Sequence, residues 1–219
     1  KMQEVMPENP ELFRLLIELN KIRGTLDQAI DLIRSLAEIH KKADRIPDAI
    51  ETLREVFEFD ALNVETHKQI IELQKSLNLV EETIETYLSL YEVFQNTGSM
   101  EDAVNTLREV VGLKPEDAKL RQTLVDAYLK SGMEVEAIDE LFHICNIHKK
   151  SEEYEAVLET LDRINEIDPE NLRSKKNRAE TYALMGDEKK ALAEFLKISS
   201  DLEKIRAVTP AAGTSVEEE

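Results

Sequence analysis

A chain of 219 residues with 34% charged and only 5% aromatic side chains, six Gly and six Pro has the composition of an all-helical protein. Its 46 acidic residues exceed the 28 basic ones, and the net charge of -18 repels nucleic acid and anionic membrane while favouring solubility and basic partners. No apolar run approaches the roughly 18 residues needed to span a bilayer, and no secretory leader opens the chain.

Residues 1–9 read as a lead-in, and Lys1 in place of an initiator Met is the expected mark of a segment cut from a longer protein. Residues 10–63 then read as three helices, with Pro47 in the first turn of the third, where its missing N–H costs nothing. In 64–117 the first helix covers Val64 to Ser76, with Ile70, Ile71 and Leu73 at helical spacing. The second covers Val80 to Gln95, and its Ile84, Tyr87, Leu88, Tyr91 and Phe94 form a broad apolar face. The third carries Ala103, Val104, Leu107, Val110 and Val111 and stops before Pro115. Residues 118–171 repeat this scheme. Residues 172–207 supply two helices, Leu172 to Leu184 and Glu188 to Ala207, and 208–219 read as a disordered acidic tail.

These units share one period. Glu8-Asn9, Ala61-Leu62-Asn63, Pro115-Glu116-Asp117 and Pro169-Glu170-Asn171 recur every 54 residues. The same step links Ile30, Ile84, Ile138 and Leu192, and also Leu53, Leu107 and Leu161. It links Ala29, Thr83, Ala137 and Ala191, small enough for two helices to close up. Finally it links Gly24, Asn78, Gly132 and Gly186, where a helix should end in a left-handed residue.

Within 84–117, Tyr91, Phe94, Gly98, Ala103, Leu107 and Pro115 stand at positions eight, eleven, fifteen, twenty, twenty-four and thirty-two. That pattern resembles the tetratricopeptide repeat, whose unit is about 34 residues. Segments 118–151 (Leu124, Tyr128, Gly132, Ala137, Leu141, Ile144) and 172–205 (Ala179, Tyr182, Gly186, Ala191, Phe195, Ile198) are similar. The likeness covers residues 10 to 206 but departs at position four, where Phe13 is followed by His67, Arg121 and Lys175. Arg178 also replaces the apolar residue held elsewhere by Leu16, Ile70 and Leu124. The resemblance implies an all-α, right-handed superhelical solenoid of about eleven antiparallel helices. Because 54 is 34 plus 20, the second helix of each unit closes one repeat and opens the next, so it must be apolar on two faces.

Several side chains invite a functional reading. Glu18, Glu72, Asp126 and Glu180 occupy position nine of each first helix and would line an acidic groove. A carboxylate there argues against the C-terminal-carboxylate clamp that the resemblance would otherwise imply. The plainer alternative pairs them at i,i+4 with Arg14, Lys68 and Lys176, leaving Asp126 with no such ion pair. His143, Cys145 and His148 cannot converge on a metal, because His143 lies about 140° round the helix from His148, and Cys145 falls in a packing row. His40 and His67 are expected at the surface. Arg173, Lys175, Lys176 and Arg178 form the one basic cluster and read as an exposed helix face. No Walker A string, G-x-G-x-x-G, H-E-x-x-H or nucleophile elbow is present, so no enzyme, metal or cofactor is expected.

The resemblance therefore implies a non-catalytic scaffold that takes a peptide or helix of another protein, basic or amphipathic, in a curved groove. A rival reading is a structural module that self-assembles through exposed array ends. Phe195, Ile198, Leu202 and Ile205 on the last helix form its edge and would support a weak homo-oligomer. An accessory domain of a larger protein is a third. The single thiol, Cys145, points to a reducing, cytoplasmic setting.

Overall fold

The structure, a computed structural model, describes the backbone of residues 9–208 and the side chains of residues 9–203. Almost all of the lead-in 1–9 and the acidic tail 208–219 lies outside the described residues, as does the side chain of Ile205. Among the described residues there are eleven α-helices and no strand. They are α1 (Pro10–Arg23), α2 (Leu26–Lys42), α3 (Ile46–Arg54), α4 (Val64–Ser76), α5 (Val80–Thr97), α6 (Met100–Leu113), α7 (Ala118–Lys130), α8 (Glu134–Lys150), α9 (Tyr154–Ile167), α10 (Leu172–Leu184) and α11 (Glu188–Val208). A 3-10 turn, Glu55–Glu58, tightens the end of α3.

The chain forms two compact units, one ending at Leu113 and the other beginning at Lys114. In each unit, helices adjacent in sequence pack on one another. The recurrent Asn/Asp of the 54-residue string has a local cause. Asn9, Asn63, Asp117 and Asn171 are the N-caps of α1, α4, α7 and α10, each accepting a backbone N–H of the first turn. Each such cap stabilises its helix by about 1 kcal/mol. The opposite ends of these first helices are equally regular: Gly24, Asn78, Gly132 and Gly186 all have positive φ, between 55° and 78°. A second left-handed row, Asp44, Gly98 and Glu152, closes the second helices at φ 57°, 75° and 60°. Only its glycine announced it in the sequence.

The register is also visible in the core. Leu53, Leu107 and Leu161 are buried, as are Ala29, Thr83, Ala137 and Ala191. The first unit's core joins Phe13, Ile17, Ile33, Leu36 and Val56 in one cluster and Ala49, Leu53, Ile70 and Leu73 in another. The hybrid helix α5 buries Tyr87, Leu90, Tyr91, Val93 and Phe94, which span both of its faces. The Ile30 row is less uniform. Ile84 is buried, Ile30 and Ile138 are half-buried, and Leu192 is exposed because, among the described residues, α11 is packed by α10 and by no third helix.

Polar residues at position four of the first helices still point inward. His67 is buried, donates its Nδ1–H to the carbonyl of Asn63 (2.9 Å) and packs at a tilt on Phe57. Arg121 forms an ion pair with Glu140, and Lys175 reaches Asp201 at 2.8 Å. Carboxylates on the following helix thus neutralise cations that stand where Phe13 packs. The surface expectation for His40 and His67 is wrong for the same reason: both occupy inward rows, His40 in the register of Phe94, and both are buried.

Candidate functional site

In the first unit, α4 and α6 flank α5 and leave a groove of about 620 Å³. Its floor is apolar, made by Ile71 of α4 and Tyr87, Leu90 and Phe94 of α5, each only 3–8% exposed. Its walls carry Lys68, Lys75 and Arg108 against Glu72, Asp102 and Glu109, three charges of each sign. The groove is therefore amphipathic and locally neutral, in a chain whose net charge is strongly negative.

One polar cluster spans it. Lys75 Nζ of α4 donates to Glu109 Oε2 of α6 at 3.0 Å and lies 5.0 Å from the centroid of the Tyr87 ring. The Tyr87 hydroxyl donates to the same carboxylate oxygen at 3.2 Å. Contact with Tyr87 and Glu109 outweighs desolvation and raises the Lys75 ammonium above its ordinary value, while Lys75 holds the Glu109 carboxyl below its own. Burial pushes the Tyr87 phenol up. Lys75 and Glu109 are largely solvated, so their ion pair is a weak strap, worth about 0–1 kcal/mol.

The same strap recurs in the other two three-helix sets. Arg14 of α1 pairs with Glu55 after α3, and Arg163 of α9 bonds Gln122 and reaches Asp126 of α7 at 3.2 Å. Glu55, Glu109 and Arg163 are register equivalents, so the third set keeps the tie with its polarity reversed.

The four acidic residues singled out in the sequence do not share one environment. Glu18 pairs with Lys21 at 3.2 Å while its expected partner Arg14 goes to Glu55. Glu180 pairs with Lys149 and Lys176. Asp126, expected to have no ion pair on its own helix, is tied to Arg163 from α9 instead. Glu72 is exposed, lines the α4–α6 groove and has no ion pair among the described residues. On α11, Phe195 and Leu202 are exposed and Ile198 is half-buried.

The remaining candidates resolve into structure. Cys145 is fully buried with its thiol pushed up to about 12 by desolvation, so it is a packing residue. His148 contacts Glu153 at 2.6 Å and His143 is exposed; no cluster of metal-ligating residues exists among the described residues. The basic stretch on α10 is neutralised: Arg173 stacks 3.8 Å above the Phe142 ring, Lys175 meets Glu170 and Asp201, and Arg178 meets Asp162 at 2.6 Å. Among the described residues no helix is long and apolar enough to cross a membrane.

Lys75 and Glu109 were not singled out in the sequence and Tyr87 only as part of an apolar face, although the 54-residue register linking Glu109 to Glu55 and Arg163 was there to be read. The outer face of α1 was missed too: Leu15, Leu19 and Ile22 form a second apolar stripe roughly opposite the buried Phe13 and Ile17.

The architecture defines an all-α helical-repeat protein. No family model and no curated protein matches the chain. Similar solved structures include the tetratricopeptide-like repeats of a Podosopora anserina putative kinesin light chain, 18% identical over 92% of this chain and 99% of that one, with a TM-score of 0.38. They also include the MamA protein, 18% identical over 84% of this chain and 98% of that one (TM-score 0.33). A third is YrrB, a tetratricopeptide repeat protein with an unusual peptide-binding site, 17% identical over 87% and 92% (TM-score 0.30). At such low identity and TM-score, the repeat architecture rests on this chain's own register.

Proposed function

We propose that the chain is a non-catalytic protein-interaction scaffold and that the α4–α6 groove receives an amphipathic peptide or helix of a partner. The observation that carries this reading is an apolar floor of Ile71, Tyr87, Leu90 and Phe94 between walls of both charges, crossed only by a solvated strap. An apolar stripe on the partner would meet the floor once the Lys75–Glu109 contact opens, and Glu72 would take a partner cation. Of the four acidic candidates, Glu18, Asp126 and Glu180 already have protein partners, so Glu72 is the one offered to a ligand.

The test is fluorescence anisotropy with a labelled amphipathic peptide carrying Leu at i, i+4 and i+7 and Lys between them. Binding that weakens several-fold with Glu72→Lys, and with salt, supports the groove. Affinity unchanged by Glu72→Lys and by Leu90→Ala would place the peptide elsewhere.

A second reading, self-association through the last helix, is favoured by a specific observation. Leu192, Phe195, Leu196 and Leu202 of α11 are all exposed. Sedimentation velocity over a concentration series tests it, and a concentration-independent monomer would refute it.

A further inference from the structure

The repeat register shows which kind of surface α11 presents. The position held by Phe195 is occupied by Ile33, Tyr87 and Leu141 in the three complete sets, and all three are buried. Phe195 itself is 45% exposed, and Leu192 and Leu196 beside it are 61% and 62% exposed. In the complete set α7–α9, α8 packs against both α7 and α9, and Val157, Leu161 and Ile164 of α9 are fully buried. Their spacing, i, i+4, i+7, makes one stripe within about 60° of arc. The positions 54 residues on are Ala211, Ser215 and Glu218, which cannot supply such a stripe.

The described residues hold one other exposed stripe with that spacing. Leu15, Leu19 and Ile22 of α1 are 70%, 38% and 83% exposed. They sit roughly opposite Phe13 and Ile17, which bind α1 to its own core. The repeat does not ask for them. Leu15 stands in register with Gln69, Thr123 and Asn177, and Ile22 with Ser76, Lys130 and Leu184. Leu19 is equivalent to Leu73, which packs in a core cluster with Ala49 and Leu53 of α3, a third helix of the same type as α9. Thus α1 carries an exposed stripe with the spacing of α9's, on a face that in α4 packs on a third helix, and among the described residues no third helix covers the Phe195 face of α11.

We propose that the occupant of the α11 face is α1 of a second copy, giving a head-to-tail contact. This rests on the self-association reading and names its second surface. The contact is heterologous, so it propagates beyond a dimer. Three or four side chains a side fall short of the roughly 1,200 Å² of a standard interface, so the association is weak. Both copies carry a charge of -18, so added salt strengthens it by screening, opposite to the response of a basic peptide in the groove.

The experiment is sedimentation velocity of the full chain from about 1 µM to 1 mM, the range in which weak interfaces report. Leu15→Ser with Ile22→Ser removes one surface, and Leu192→Ser with Leu196→Ser the other. All four side chains are exposed, so circular dichroism should show unchanged helicity. Wild type should grow past dimer with concentration, each double variant should lose at least tenfold in association, and the two variants mixed should form a 1:1 dimer that grows no further. Persistent growth of the α1 variant, with loss only in the α11 variant, overturns the head-to-tail contact and leaves self-association through α11. A wild type that stays monomeric overturns both. Association that salt weakens would overturn the apolar basis of the contact.

Discussion

Leu107→Ala tests the register at its centre. Leu107 is fully buried in α6, flanked by buried Val104 and Val110 and facing α5. The substitution deletes three carbons, so lost transfer alone costs about 2.4 kcal/mol at ~0.8 kcal/mol per methylene. The packed backbone of α5 limits collapse into the space left, so a cavity contribution raises the total to about 3–4 kcal/mol. Against a typical domain stability of about 5–15 kcal/mol, that is a large fraction. With a urea m-value of about 1–3 kcal/mol/M, the midpoint followed by circular dichroism should fall by about 1–4 M with the slope unchanged. Leu15→Ala is the control: it removes the same atoms from an exposed site and should stay within about 0.5 kcal/mol. Equal effects at Leu107 and Leu15, or a silent Leu107→Ala, would refute the assignment of the Leu53–Leu107–Leu161 row to the core.

Other outcomes follow from single observations. Glu152→Gly should stabilise the chain by about 0.5–1 kcal/mol in the same urea assay, since Glu152 is held at φ 60° where a Cβ is strained and glycine is not. Cys145, buried and with its thiol pushed up to about 12, should resist alkylation at neutral pH until denaturant is added; fast labelling of the folded chain would contradict its packing. The Lys75–Glu109 contact makes Glu109's folded carboxyl pKa lower than its unfolded one, so its small stabilisation is present above the unfolded value of about 4.3 and is lost as pH falls through the depressed folded value. Lys75 titrates in the opposite sense: its contribution is present below the unfolded value and is lost as pH rises through the raised folded one. Carboxyl NMR titration should show the Glu109 pKa moving up in Lys75→Met.

What the sequence made legible was whatever depends on backbone chemistry and apolar spacing. Helix α4 runs from Val64 to Ser76 as read, and α10 from Leu172 to Leu184, because caps, turn residues and periodicity act within a few residues of themselves. Glu152 was illegible as a left-handed residue because its type does not favour positive φ, and Asp44 because Asp, though tolerated there, is far commoner elsewhere; equivalence with Gly98 reveals both. His67 and His40 were misplaced because polarity was weighed above register. A half-apolar ring tolerates an inward row when a carbonyl or a neighbouring ring satisfies it, as Asn63 and Phe57 do for His67.

The candidate site was less legible for a physical reason that the straps make plain. Across the α1–α3, α4–α6 and α7–α9 sets, a polar tie joins first and third helices, yet no single residue type is kept. Arg14 holds Glu55, Lys75 holds Glu109, and Arg163 reverses the arrangement by holding Gln122 and Asp126. Coulomb attraction needs only opposite signs within reach of long side chains, so either helix can supply the cation and the tie can shift by one or two turns. Apolar packing has no such freedom, because Leu107 fits one volume on one face. A periodic sequence therefore displays its core as rows of like residues and conceals its electrostatics in compensated pairs. Glu72, the one acidic candidate outside such a pair, marks where the α4–α6 set departs from the others, and that departure is why the groove above it is the surface proposed to meet a partner.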